Sequence, residues 1–182
     1  LGVALDQVGQ FEEAMVHYRE GLRRTPEDHT LHTNLGAALA RMGRLEEAVA
    51  HHTEALRLKP DYETAHINLG NVLIQMGQLD EAAAHFAQAT HIRPELGGAY
   101  YNLGNVLAEQ GIFEDAAAQY RRALEFHPDV AEISVRLGNI AMHQGHRAEA
   151  IAHYRRALGL RPDLVEAREA LHQLQQGQAV SR

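Results

Sequence analysis

Between His29 and Met42 the apolar residues Leu31, Leu35, Ala38, Leu39 and Met42 recur at three- and four-residue steps, the spacing of one helix face. Gly43 interrupts the pattern, as a residue just past a helix end often does. A second amphipathic stretch runs from about Glu46 to Leu58 and carries Ala48, Val49, His52, Ala55, Leu56 and Leu58. Lys59-Pro60-Asp61 ends it, because proline lacks an amide donor and disfavours helix in the residue before it. The predicted unit is a helix hairpin.

The same pattern returns every 34 residues. Pro26, Pro60, Pro94, Pro128 and Pro162 keep that step, as do Gly2, Gly36, Gly70, Gly104 and Gly138. Gly9, Gly43, Gly77, Gly111 and Gly145 keep it too, and so do Ala14, Ala48, Ala82, Ala116 and Ala150. A fixed period of this length describes one supersecondary unit stacked on copies of itself, with no central core. Residues 29–62, 63–96, 97–130 and 131–164 are four full copies, preceded by a partial copy at 1–28. Residues 165–176 start one more first helix, with His172 in place of the glycine and a polar face suited to capping an open end. Residues 177–182 read as a frayed tail, and residues 1–176 as one array.

Charge supports the second helix of each pair. Acids gather at its start, as in Glu12-Glu13, Glu46-Glu47, Asp80-Glu81 and Glu114-Asp115. Bases are expected at its end, in Arg23-Arg24, Arg57 with Lys59, Arg121-Arg122 and Arg155-Arg156. That order opposes the helix macrodipole. Gly36 and its equivalents lie inside the first helix, where glycine costs about 1 kcal/mol relative to alanine. The recurrence implies close approach of another backbone, with Ala48 and its equivalents at the contact between the two helices.

Composition narrows the function. Tryptophan and cysteine are absent and aromatic content is 5%, so burial rests on Leu, Ala, Val and Ile, and disulfides and thiol chemistry are excluded. A net charge of −7 argues against a general nucleic-acid binder. No apolar run reaches the roughly 18 residues of a membrane span. Thirteen histidines could more than cancel the negative charge once protonated, which predicts self-association near mild acidity. The chain opens in mid-unit, with Leu1-Gly2 matching Leu35-Gly36, so further sequence is expected upstream. The lack of cysteine favours a cytoplasmic setting.

These signatures resemble the tetratricopeptide repeat. In the third full copy Tyr100, Leu103-Gly104, Leu107, Gly111, Ala116, Tyr120, Ala123 and Pro128 follow the family pattern in order. His32 and His66 stand where the family often has Trp, and His52 where it prefers an aromatic. The resemblance implies an all-α, right-handed α-solenoid of stacked antiparallel helix hairpins. It also implies that a peptide or protein lies along the first helices, on the concave face of a superhelix.

Six asparagines occupy two repeating places on those helices: Asn34, Asn68 and Asn102 at the first, and Asn71, Asn105 and Asn139 three residues on. Residues three apart share a helix face. An amide both donates and accepts, which suits the backbone of an extended peptide. A similar asparagine ladder characterises the repeat region of O-linked N-acetylglucosamine transferases. Arg136 replaces the fourth asparagine and could meet a carboxylate. Thr33, Ile67, Tyr101 and Val135, each one residue before a rung, are expected to flank the groove. The alternative role for the amides is to hold neighbouring repeats together. Repeats that grip acidic chaperone tails use several lysines and arginines on these helices, and here only Arg136 matches.

His17, His51, His85 and His153 share one position, but helices about 8–10 Å apart cannot place such a row on one metal whose ligands sit about 2 Å away. No metal or cofactor is therefore expected. No His-Glu-x-x-His, phosphate loop or nucleophile elbow occurs, so no enzyme activity is expected either. Two readings stand: a peptide-binding interaction module within a larger protein, or a scaffold that self-assembles through its repeat ends, the Leu1 end above all, and its convex face.

Overall fold

A computed structural model of the chain describes residues 1–179, with side chains through Gln176. Among the described residues there are eleven helices and no strand. They form two compact units, Leu1–Pro94 and Glu95–Arg182.

The first unit holds α1 (Gly2–Gln7), α2 (Phe11–Arg24), α3 (His29–Arg41), α4 (Leu45–Leu58), α5 (Glu63–Gln75) and α6 (Leu79–Ile92). The second holds α7 (Gly97–Glu109), α8 (Phe113–Phe126), α9 (Ala131–His143), α10 (Arg147–Leu160) and α11 (Val165–Ala179). Packing is tightest within the hairpins α3–α4, α5–α6, α7–α8 and α9–α10. The core follows the chain. Tyr18, Leu35, Leu39, Ala48 and Val72 form one apolar cluster in the first unit. The second unit has two, around Tyr100, Tyr120 and Leu137 and around Val135, Tyr154 and Leu174.

Local chemistry explains the ends. Gly43 and Gly111 take φ of 73° and 79°, the left-handed region where glycine carries no Cβ penalty. Asp28 caps α3 by accepting from the amides of Thr30 and Leu31 at 2.8 and 3.0 Å. The acidic starts stand in the first turns of α2, α4, α6 and α8. The basic ends do so only in part: Arg23, Arg24 and Arg57 reach a last turn, whereas the arginine pairs of α8 and α10 fall short of it. Arg122 instead pairs with Glu125, three residues on.

The internal glycines serve a purpose other than the one their cost suggested. The atoms nearest Gly36 and Gly104 belong to a side chain and not to a crossing backbone. A Cβ on Gly36 would lie 2.8 Å from the His52 ring, and one on Gly104 2.7 Å from the Tyr120 ring. The missing methyl makes room for the side chain sixteen residues later, on the partner helix of the same hairpin. Ala48 and its equivalents are fully buried, as a helix contact requires. The last helix continues to Ala179, beyond the expected limit at 176, and residues 180–182 of the expected tail lie outside the described residues.

Candidate functional site

The 34-residue period places the rung residues at equivalent points of successive first helices. In the first unit Asn34 lies on α3 and Asn68 and Asn71 on α5. In the second, Asn102 and Asn105 lie on α7 and Arg136 and Asn139 on α9. Asn71 and Arg136 are exposed, and the other five are half-buried.

Cavities recur in the same register. In the first unit a cavity of about 230 Å³ is lined by Ala37, Ala40, His52, Asn68, Asn71 and Val72. In the second unit one of about 370 Å³ is lined by Asn105, Ala108, Tyr120 and Arg136. Another there, of about 450 Å³, is lined by Asn139, Met142, Arg147, Tyr154, Ala170, Gln173 and Leu174. Ala37, Asn105 and Asn139 share one repeat position, His52, Tyr120 and Tyr154 a second, and Asn68, Arg136 and Ala170 a third. Each cavity thus combines a rung position of one repeat, the ring behind it and a rung position of the next.

The amides divide into two groups. Tyr120 donates its phenol to Asn105 Oδ1 and Tyr154 donates to Asn139 Oδ1, both at 2.7 Å. Asn139 Nδ2 in turn donates to Glu166 Oε1 at 2.9 Å. Burial raises the pKa of both tyrosines, which keeps each phenol a donor. Among the described residues the amides of Asn34, Asn68, Asn71 and Asn102 have no partner within the chain. For Asn71 the reason lies in the ring position: the residue fifteen on is Phe86, with no polar side-chain atom, where Asn105 and Asn139 have tyrosine. The carboxamides of Asn105 and Asn139 are held in one orientation; the other four are available.

Two flanking positions fall elsewhere than expected. Thr33 is 2% exposed, and its hydroxyl donates to the His29 carbonyl one turn back at 2.9 Å. Val135 is also 2% exposed and packs in the cluster around Tyr154. One residue before a rung is about 100° around the helix, and in both repeats that direction leads into the hairpin interior. Ile67 and Tyr101 remain half-buried. Tyr101 lies tilted against Tyr120, with ring centroids 5.9 Å apart, and its hydroxyl beside the Arg136 guanidinium raises the arginine's pKa.

Histidines form contacts that spacing alone did not reveal. His32 Nδ1 is 3.0 Å from His51 Nδ1, and His32 Nε2 is 3.0 Å from the Pro26 carbonyl. His66 repeats this with His85 Nδ1 and the Pro60 carbonyl, both at 3.0 Å. A carbonyl only accepts, so Nε2 of His32 and His66 carries a proton. In the neutral pair, Nδ1 of His51 or His85 then donates to the bare Nδ1 opposite. Burial lowers the pKa of His51 and His85, and the facing imidazole lowers it further. His52 is fully buried with neither ring nitrogen bonded, and burial takes its pKa down to about 4. Among the described residues no three His, Asp or Glu side chains gather as a metal site would require.

Family and fold comparisons agree with the repeat architecture. Tetratricopeptide-repeat models match residues 67–131 and 101–165, another matches 27–95, and a TPR-repeat model matches 4–43. The chain belongs to the tetratricopeptide-repeat family. It is similar to the solved structure of YrrB, described as "a TPR protein with an unusual peptide-binding site", with 22% identity and a TM-score of 0.81. That alignment covers 94% of this chain and 88% of YrrB. A MamA fragment from Desulfovibrio magneticus RS-1 aligns with TM-score 0.82 and 22% identity over 90% of this chain and 93% of its own. TTC0263, a thermophilic TPR protein of Thermus thermophilus, aligns with TM-score 0.69 and 22% identity over 96% of this chain and 95% of its own. Such likenesses establish an all-α helical-repeat solenoid. No curated protein sequence matches the chain. Repeats of this family are protein-interaction modules, and among the described residues no helix is long and apolar enough to cross a membrane.

Proposed function

We propose that the chain is a peptide-binding interaction module that takes an extended segment of a partner along the rung-bearing faces of its first helices. The observation that carries this reading is the recurrence of cavities in one register, each lined by rung residues. Asn68 and Asn71, unpartnered in the cavity of the first unit, offer paired donor and acceptor groups to a peptide backbone, which favours tolerance of sequence. YrrB, with the same fold, is described by its peptide-binding site. Asn105 and Asn139 define the walls, and Asn34, Asn68, Asn71 and Asn102 supply contacts.

The test is a peptide array or pull-down with N68A/N71A, since both amides line one cavity and neither supports a neighbour. Binding should fall at least about tenfold while Tm moves by only a few degrees. Full binding by the variant, or a large loss of stability, would reduce the ladder to a structural role.

A second reading, self-assembly, has its own observation. Leu1, Val3, Val8 and Val16 are 83, 50, 70 and 63% exposed on α1, α2 and their flanks. Sedimentation across a hundredfold concentration range separates the two: a monomer that binds peptides supports the module, and growing oligomers with no peptide affinity support the scaffold.

A further inference from the structure

Two histidine pairs of the first unit have no part in the peptide-binding reading. His32 on α3 meets His51 on α4, and His66 on α5 meets His85 on α6. His32 and His66 each stand two residues before a rung asparagine, about 200° around the helix. Each pair thus lies apart from the rungs and joins the two helices of one hairpin. A row of histidines along successive repeats cannot share a metal, but pairing across a hairpin removes that obstacle.

The geometry of the pairs suits a chelate. Nδ1 lies 3.0 Å from Nδ1 in both. With each nitrogen about 2 Å from an ion, that separation subtends about 97° at the metal. An angle near 90° is the demand of tetragonal Cu(II) or Ni(II), whereas tetrahedral Zn(II) asks for about 109°. Nε2 of His32 and of His66 donates to the Pro26 and Pro60 carbonyls, both 3.0 Å away. Such an outer hydrogen bond fixes the ring and leaves the Nδ1 lone pair free for a metal. On His51 and His85 the proton passes from Nδ1 to Nε2, and a swing of the ring brings both lone pairs onto the ion. That exchange neither takes up nor releases a proton.

Room and charge agree with this. A cavity of about 400 Å³ adjoins the second pair, bounded by Thr53, Arg57, Pro60 and Leu69 with His66 and His85. Arg57 there is matched by Glu54 at 2.8 Å. Around the first pair, Glu47 faces His51 and Glu54 faces His32, against Arg19. Tyr100 with Gln119, and Ser134 with His153, hold the equivalent positions of the second unit, so neither of its copies repeats the pair.

We propose that the Leu1–Pro94 unit binds two divalent ions of tetragonal preference, Cu(II) above all, one on His32 with His51 and one on His66 with His85. Each ion staples a hairpin, and water completes its coordination. Two protein ligands hold such an ion exchangeably. The proposal does not rest on peptide binding.

The experiment titrates the metal-free full chain with Cu(II), read by equilibrium dialysis, electron paramagnetic resonance and thermal melting. Wild type should take up two ions with an axial signal showing two imidazole nitrogens per ion, and its Tm should rise. H51Q/H85Q borrows Gln119, and H32Y/H66Y borrows Tyr100, residues with which the third full copy already folds. Loss of an outer-shell partner alone costs about 10–100-fold in metal affinity, so either variant should lose at least about tenfold at both sites. H143Q/H146Q, which removes two histidines outside the pairs, should bind as wild type does. Unaltered uptake in H51Q/H85Q or H32Y/H66Y overturns the proposal, as does a signal with a single nitrogen per ion. Zn(II) held as tightly as Cu(II) overturns it too, since the angle would then not select the metal.

Discussion

One ring position decides how each repeat uses its neighbouring polar groups. Tyr120 and Tyr154 bond to asparagines fifteen residues earlier, Phe86 bonds to nothing, and His52 is left with two orphaned nitrogens beside Ala37. Replacing a buried, unpaired polar ring by an apolar one of similar shape is neutral or stabilising. His52→Phe should therefore stabilise the chain by about 1 kcal/mol at neutral pH, read by urea denaturation. At pH 5 the gain should be larger. An unfolded chain would protonate a free histidine below about pH 6.5, while native His52 stays neutral down to about 4. His52 therefore costs wild type stability across that window, a share of the acid loss that the variant is spared. Conversely, Tyr154→Phe should cost about 1 kcal/mol by stripping Asn139 of its donor. Equal melting of wild type and Tyr154→Phe would mean the bond contributes nothing net.

At the scale of the helix, the pairing of a glycine with a ring sixteen residues on fixes how closely the two helices of a hairpin lie. Gly104→Ala tests it. Alanine is the better helix former by about 1 kcal/mol, yet its Cβ would stand 2.7 Å from the buried Tyr120 ring. Overpacking costs about 1–3 kcal/mol, so the net change should be destabilising, whereas an exposed helical site such as Gly98, with open space around it, should gain from the same substitution. Helix limits and hairpin pairing were legible in the sequence because Gly, Pro and apolar spacing are local signals repeated five times over. The purpose of Gly36 and Gly104 was not, since spacing shows that room is needed without showing for what. Asn68 and Asn71 could be placed on one face from their three-residue interval. The burial of Thr33 and Val135 could not, because one residue either side of a rung can face groove or interior depending on how the next hairpin leans. The tyrosine–asparagine and histidine–histidine contacts cross a turn, and only the fold brings them together.

Across the whole molecule, histidine chemistry is unevenly distributed. In Leu1–Pro94, His51, His52 and His85 all have pKa values lowered by burial, and two are paired with a second imidazole. In Glu95–Arg182 only His153 is lowered among the described residues, and Glu149 beside it opposes the shift. Tyr100 with Gln119, and Ser134 with His153, stand where the first unit has its histidine pairs. Groups facing His51 include His32, Arg19 and Glu47, and His85 faces His66, so only Glu47 favours protonation. A depressed native pKa means the unfolded chain binds more protons below about pH 6.5, so stability falls as pH drops from there through the native pKa values. A second proton on either pair also sets two N–H groups face to face. Hydrogen exchange should therefore show protection of α3 to α6 falling between pH 7.5 and 5, ahead of α7 to α10. The variant H51Q/H52F/H85Q, which borrows Gln119 and Phe86 from equivalent positions, should remove the difference. Uniform loss of protection along the chain, or a gradient that survives in the variant, would show that these histidines do not govern the response to acid.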